Sequence, residues 1–334
     1  MRYHTPSHRQ EPARRLAARL AGANSIVLTT HMNPDADGAG SAVALLAWLR
    51  DRGAEGWFVP PTPLPERYRF LLPEEEWHLP ASSADAARAC SAADLVVVVD
   101  AGDLPRLGRV KPMVEGRPTV VVDHHTTPTR PIPGDRLVDT GACATAELVY
   151  DILMAAGARW TPAIDNALYT AIVDDTGSFA YSNVTPDTHL LAAELVRRGV
   201  DVVGIHRQLF ESVDVRRLEL LRECLGELRA EDGLSWITVP DRAYRDLKAT
   251  SDDLGGLVDY PRAIKGVEVA MLFRTTNGGA TKVSFRSNGP VDVDGIARSF
   301  GGGGHAKAAG ALVSRPLEEV RADVVNAVRA LVRE

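Results

Sequence analysis

Short, uninterrupted apolar runs set the frame of the first half of the chain. Residues 25–30 read SIVLTT, Leu95–Val99 reads LVVVV and 119–122 reads TVVV. Each is brief, rich in β-branched residues and apolar without alternation, the pattern of strands covered by helices on both faces. Residues 12–22 carry Leu16, Ala17 and Leu20 on one face and several arginines on the other, which predicts an amphipathic helix. Residues 39–53 have helical length and periodicity and stop at Gly53. Strand, loop and helix in this order predict an α/β domain over residues 1–186, with a largely parallel sheet flanked by helices. Residues 187–232 contain no proline and read as a helical connector. Beyond Gly233 the texture changes. SWITVP, VEVAMLFRTT and TKVSFRS are strand-like, Asn277-Gly278-Gly279 suits a hairpin turn, and IARSF and a helix over Leu317–Val332 close the chain. Residues 233–334 are therefore expected to form a second, smaller α+β domain.

Composition narrows the classes. A length of 334 residues suits about two domains, and 45% hydrophobic with 25% charged residues is ordinary for a globular protein. Lys and Arg number 38 against 44 Asp and Glu, a net charge of -6. That balance argues against gripping long nucleic acid by bulk electrostatics, which needs many cationic phosphate contacts. A small phosphate-bearing ligand held by a few placed cations remains compatible with it. Cys90, Cys143 and Cys224 are far apart and form no CxxC pair, so they read as reduced, semi-buried thiols rather than a zinc knuckle or disulfide framework. The start MRYHTPSHRQEPARRL lacks an apolar signal core, and no apolar run approaches a membrane span. The expectation is a cytoplasmic protein without a membrane partner.

The chemistry-bearing residues follow the strands. His31, Asp35 and Asp37 come after the first run, Asp100 after the second, and Asp123, His124 and His125 after the third. In an open parallel sheet the carboxyl ends of the strands share one edge, so residues distant in sequence converge there. Asp174-Asp175-Thr176-Gly177, after the apolar segment ALYTAIV, supplies a fourth cluster. Any one of these residues alone would be a turn or capping residue. Five or six carboxylates at one edge repel one another unless positive charge sits among them. A pair of divalent cations provides it. The mixed nitrogen and oxygen donor set suits Mn²⁺ first, with Co²⁺, Zn²⁺ or Mg²⁺ as alternatives. Two such ions roughly 3.5–4 Å apart are the usual device for in-line displacement at phosphorus. In the second domain, SFRSNG (284–289) precedes GGGGHAKAAG (301–310). Glycine runs let backbone N–H groups approach an anion, and a helix starting just beyond would add its positive end. Arg286 and His305 are then natural phosphate ligands.

These motifs resemble the DHH phosphoesterase family. HMNPDADGAGS fits its H-x-x-P-D-x-D-x-x-G-S motif, Asp100 its second, Asp123-His124-His125 its third and Asp174-Asp175-Thr176-Gly177 its fourth. FRSNG followed by GGGGHAKAAGA is similar to the DHHA1 domain that completes these enzymes, and the nearest branch is the nanoRNase/pAp phosphatases. The resemblance implies an N-terminal DHH domain holding two Mn²⁺ ions. His31 and Asp35 would bind one, Asp37, His124 and Asp175 the other, with Asp100 bridging. Asp123 would orient His124, and His125 would face the scissile phosphate. Arg286, Ser287 and His305, with Gly303 and Gly304, would bind the substrate's terminal phosphate. Ser178 and Phe179 would lie near the nucleotide. The implied substrates are short oligoribonucleotides and pAp, with cyclic di-AMP or its linear product pApA as the alternative on the same scaffold, and the implied assembly is a homodimer. A RecJ-like exonuclease is expected to carry an additional OB-type domain, and a family II pyrophosphatase lacks the GGGH run. A non-catalytic nucleotide-binding module would have lost a metal ligand, whereas all six are present.

Overall fold

The computed structural model describes residues 2–125, 128–276 and 278–332, with His305 described in its backbone only. The chain divides into two compact units, Met1–Ser212 and Val213–Glu334. The division falls inside the stretch expected to be a connector. That stretch holds three separate helices, broken around Gly199 and again at 211–214, and then a short strand at Arg229–Glu231; the first two helices pack into the first unit's core.

The first unit contains strands β1 (Ser25–Thr29), β2 (Glu55–Phe58), β3 (Leu95–Val99), β4 (Thr119–Asp123) and β5 (Asp135–Val138). Its helices are α1 (Ser7–Ala21), α2 (Ala36–Asp51), α3 (Ala84–Ala92), α4 (Lys111–Val114), α5 (Thr145–Ala155), α6 (Pro162–Asp175), α7 (Pro186–Arg197) and α8 (Val202–Phe210). All five strands are parallel, in the order β2-β1-β3-β4-β5. Successive residues of each strand face opposite sides. Ile26, Leu28, Val97, Val99, Val120 and Val122 join one core with α1, α2, α5 and α6. Val27, Val96, Val98 and Val121 join another with Ala86, Ala89 and Cys90 of α3 and with Leu107, Val110 and Val114. Both faces are covered, which is why the strands read as continuous apolar runs.

Several boundaries differ from the sequence reading, each for a local reason. Helix α1 begins at Ser7 rather than 12, because its first turns carry Arg9, which is buried and paired with Asp139 and Glu147. Helix α2 starts at Ala36, since Asp35 caps it by accepting the Gly38 N–H at 3.0 Å. The segment ALYTAIV lies in helix α6, opened by Thr161 as its cap. All three cysteines are free and fully buried. Among the described residues no helix is long and apolar enough to cross a membrane.

The second unit comprises α9 (Val215–Gly226), β6 (Arg229–Glu231), β7 (Leu234–Thr238), α10 (Asp241–Asp246), α11 (Asp259–Arg262), β8 (Val269–Thr275), β9 (Thr281–Ser287), α12 (Val293–Ser299), β10 (Gly303–His305), β11 (Ala308–Val313) and α13 (Leu317–Val332). The strands form a mixed sheet, β10-β11-β9-β8-β7-β6, in which only the β7–β8 pair is parallel. Strands β8 and β9 make the expected hairpin through Gly278 and Gly279; Asn277 lies outside the described residues. The segment after the glycine run corrects the expectation of a helix. Residues 303–305 and 308–313 are instead antiparallel strands, β10 at the sheet edge and β11 between it and β9. A Cβ on Gly302 would lie 2.1 Å from the Gly310 carbonyl oxygen, and one on Gly304 2.5 Å from that of Ala308. The glycines let β10 lie close against β11. The Gly304 amide is already donated to Asp294 Oδ1 at 2.7 Å.

Helices α2 and α6 meet closely at Gly40, where a Cβ would sit 2.5 Å from the Ala167 carbonyl oxygen. This contact sets the first turn of α2 beside the last turn of α6. Gly40→Ala must push the helices apart, and overpacking of this kind costs about 1–3 kcal/mol. A lowered melting temperature is expected by differential scanning calorimetry; an unchanged one would show that α6 yields without strain.

Candidate metal centre

The strand order creates the site. Chain leaving β1 turns toward α2 and β2 on one side, while β3 leads to β4 on the other, so the loops after β1 and β3 part at a crevice. His31 follows β1 and Asp100 follows β3, on either side of it. Asp100 adopts a left-handed backbone conformation, φ 59°, which aspartate tolerates better than most side chains. Ligand-type atoms converge there in three overlapping groups: His31, Asp35 and Asp100; Asp37, His124 and Asp175; and Asp100, His124 and His125. All six residues expected to hold metal, and His125, are thus brought together.

The distances give the arrangement. His31 Nε2 lies 3.1 Å from Asp100 Oδ2 and 3.4 Å from Asp35 Oδ2. His124 Nε2 lies 3.6 Å from Asp100 Oδ1, 3.6 Å from Asp175 Oδ2 and 3.8 Å from Asp37 Oδ2. Asp100 therefore presents one oxygen to each group. The far nitrogens are fixed by backbone. His31 Nδ1 is 2.9 Å from the Met32 carbonyl and His124 Nδ1 3.3 Å from that of Ala142. A carbonyl only accepts, so Nδ1 carries a proton on both rings, and Nε2, which faces the carboxylates, is the nitrogen that would bind a metal once its own proton is displaced. This is how metal-binding histidines are held.

Asp123 has a different task from the one expected. Its Oδ1 accepts from His125 Nδ1 at 2.7 Å and from the His125 amide at 3.2 Å, so it orients His125 and not His124. The Asp174–Asp175 pair is split as well. Asp175 faces His124, whereas Asp174 Oδ2 accepts from the Tyr68 hydroxyl at 3.1 Å and the Ala36 amide at 3.4 Å. Just beyond, Ser178 and Phe179 are consecutive left-handed residues, φ 57° and 65°, and the Phe179 ring stacks on His189 at 5.3 Å.

Three contributors escaped the sequence reading. The Thr145 and Ala146 amides, at the start of α5, donate to Asp37 Oδ2 and Oδ1 at 2.7 and 2.9 Å. The Thr145 hydroxyl donates to Asp100 Oδ1 at 3.0 Å. Asn183 Nδ2 donates to the Cys143 and Asp175 carbonyls at 2.7 and 3.1 Å. A helix start after Cys143-Ala144 is visible in sequence, but its partner Asp37, over a hundred residues earlier, is not.

The electrostatics fit a cationic guest. Burial, with the charges on Asp100 and Asp175, drives the Asp37 carboxyl well above its usual range, and burial with Asp100 does the same to Asp175. Burial opposes ionisation of Asp100 too, but His125 and His31 outweigh it and hold this carboxyl below the usual range. For His31, burial alone would favour the neutral ring; Asp35 and the hydrogen bond to Asp100 raise it to about 10. Asp174 and Asp175 also occupy the last turn of α6, which contains no basic residue, at the negative end of the helix dipole. Oxygen and imidazole donors crowded this way suit a divalent cation of the Mn²⁺, Co²⁺ or Zn²⁺ kind.

The second unit's expected residues lie on its sheet. Arg286, in β9, is about one-third exposed, with Nε 3.9 Å from Asp259 Oδ1. Ser287 is buried; its amide donates to the Lys307 carbonyl at 3.0 Å and its hydroxyl to that of Val291 at 2.8 Å, so both polar groups are committed internally. Gly303 and Gly304 lie in β10, and the side chain of His305 lies outside what is described.

A carboxylate–imidazole centre at the switch point of a parallel sheet, in a chain with a separate mixed-sheet unit, defines a metal-dependent hydrolase of the α/β class. Residues 25–173 match the DHH family, N-terminal domain, and residues 240–334 match the DHHA1 domain. The bifunctional oligoribonuclease and PAP phosphatase NrnA of Thermus thermophilus is 33% identical over 306 residues, 91% of this chain and 89% of that protein. Its Bacillus subtilis namesake is 28% identical over 297 residues, covering 87% and 90%. The crystal structure of an exopolyphosphatase-related protein from Bacteroides fragilis has the same fold, with a TM-score of 0.88 at 22% identity over 97% of this chain and 98% of that one. The chain belongs to the DHH phosphoesterase family, in its DHH–DHHA1 form, and is a phosphoesterase hydrolase.

The titration of the centre gives a test. His31, raised to about 10, contributes stability to the metal-free protein that is complete below its ordinary value of 6.5 and is lost as pH rises toward 10. His124, Asp37 and Asp175 are also raised and act with the same sign. The melting temperature of chelator-treated protein is expected to fall between pH 6.5 and 10, and saturating Mn²⁺ should remove most of the fall. A flat profile without metal would show that the cluster is not proton-linked.

Proposed function

We propose that this chain hydrolyses short oligoribonucleotides to mononucleotides and pAp to AMP, using two Mn²⁺ ions. The observation that carries the reading is the pair of adjacent donor sets sharing Asp100, with one oxygen toward His31 and the other toward His124. His31 and Asp35 would hold one ion and Asp37, His124 and Asp175 the other, with Asp100 shared between the two sets. When bound, such a pair supplies Lewis acidity and an activated water near neutral pH. The protein's own groups do the rest. Met32 and Ala142 keep the two ligand rings in the Nδ1–H form, and the start of α5 holds Asp37 by two amides. His125, oriented through Nδ1 by Asp123, is the group proposed to face the phosphoryl oxygens, where charge develops during displacement. In the second unit Arg286, with Gly303, Gly304 and His305, is the proposed anchor for the substrate's terminal phosphate.

The test is a competition assay with Mn²⁺, reading kcat/KM for a 5′-phosphorylated RNA dinucleotide, pAp, cyclic di-AMP, pyrophosphate and a long single strand. The dinucleotide and pAp are expected to dominate. Dominant turnover of cyclic di-AMP or of the long strand would overturn the substrate assignment. Asp100→Ala is expected to abolish turnover, and activity retained with Mn²⁺ would refute the bridging role. Arg286→Ala should raise KM for pAp with kcat nearly unchanged, by about ten- to a hundredfold for a lost charged hydrogen bond of about 1.5–3 kcal/mol.

A further inference from the structure

The two carboxylates at the middle of the centre, Asp37 and Asp100, are both held by one short turn. The amides of Thr145 and Ala146 take the two oxygens of Asp37, and the Thr145 hydroxyl takes Asp100 Oδ1. The turn is fixed in its own place by Glu147, one residue further into α5. Glu147 Oε2 accepts the Cys143 amide at 2.8 Å. Its other oxygen, Oε1, accepts from Arg9 NH1 at 2.5 Å and from the Tyr3 hydroxyl at 3.2 Å. Arg9 is itself buried and spans from Asp139, through Nε at 2.5 Å, to Glu147 and Asp151. The single Tyr3 hydroxyl proton is shared between Glu147 and Asp151 Oδ1, 3.0 Å away, and the ring stands edge-on to Tyr150.

This is an expensive arrangement for a surface segment. A buried Arg–carboxylate cluster gives little net stability compared with apolar packing, because both charges lose their water. What it supplies is direction: the guanidinium fork fixes the carboxylate of Glu147 in plane and distance. The carboxylate in turn fixes the amide of Cys143, two residues before the Thr145 amide.

We propose that Glu147, clamped by Arg9 and Tyr3 of the N-terminal segment, is a positioning residue that sets the turn holding Asp37 and Asp100 and so tunes metal affinity. The proposal rests on the metal reading above. It gives the N-terminal segment, over a hundred residues from α5 in sequence, a share in the site without touching substrate or metal. Partners of this kind that orient ligands typically change metal affinity by about 10- to 100-fold when removed.

The test is calorimetric titration of metal-free protein with Mn²⁺, with thermal unfolding recorded in parallel. Glu147→Gln keeps the shape of the side chain but cannot accept at both ends. It is expected to weaken Mn²⁺ binding about tenfold or more while the number of ions bound stays at the wild-type value. Unchanged affinity, whatever happens to the melting temperature, would overturn the proposal and leave the cluster a structural anchor. Should Glu147→Gln fail to fold, Arg9→Lys decides. A single ammonium cannot reach Asp139 and Glu147 together as the fork does, so weaker Mn²⁺ binding by a folded Arg9→Lys protein supports the proposal and wild-type affinity refutes it. Asp37→Ala, measured alongside, separates the two readings. Loss of one ion there with unchanged affinity in Glu147→Gln rejects the positioning role alone; full wild-type binding there would reject the metal centre and the proposal with it.

Discussion

Asp37, Asp100 and Asp175 meet at one sheet edge, and two of the three are almost fully shielded from water. Buried like charges at hydrogen-bonding distances cannot all remain ionised without a counter-charge. Burial and mutual repulsion raise the Asp37 and Asp175 carboxyls, and Asp35 and Asp100 raise His31 to about 10, so the cluster favours bound protons or a cation. Much of the first unit can be understood as the framework that keeps these groups together against their repulsion. The continuous apolar strands anchor β1, β3 and β4 between two layers of helices, and the tight crossing of α2 and α6 at Gly40 fixes two acidic helix ends side by side.

The backbone answers the same constraint with dipoles of both signs. The start of α5 points two amides at Asp37, and Asp35 caps the start of α2, both favourable placements for a carboxylate. The end of α6 does the opposite, placing Asp174 and Asp175 where the helix dipole is negative. Asp174 is rescued by the Tyr68 hydroxyl and the Ala36 amide. Among the described residues, the Asp175 carboxylate receives the long 3.4 Å contact from Asn183 and approaches His124. The two neighbouring acids thus differ in their partners, a distinction that comes from the three-dimensional surroundings.

Sequence alone revealed the parallel sheet, the strand-end clusters and the closing helix, because these depend on short-range patterns: apolar runs of five residues, a residue following a strand, a helical period. It misread what depends on distant partners. The glycine run suggested an anion-binding loop leading into a helix, yet Gly302 and Gly304 are small because β11 passes close behind them. Ser287 read as a phosphate ligand in SFRSNG, but its hydroxyl closes the 287–291 turn. Arg9 lies ahead of the helix expected over 12–22 and went unread, since Glu147, Asp139 and Asp151, which surround it, are distant in sequence. In each case the decisive contact joins positions whose pairing has no signature in one sequence.

The Asp123-His124-His125 run shows how far such neighbours diverge. The two rings stand edge to face with centroids 4.8 Å apart, so they cannot serve one partner in the same way. His124 takes its orientation from a neutral carbonyl at Ala142 and turns Nε2 to three carboxylates. His125 takes its orientation from the Asp123 carboxylate at the end of β4, and the same oxygen also accepts its amide. Nε2 of His124 is thereby left facing the carboxylates, while the His125 ring is tied to the end of the strand. One dipeptide thus carries two rings in different settings. The strand that ends at Asp123 is what allows it, since β4 delivers the aspartate in register and frees the chain to turn directly after it.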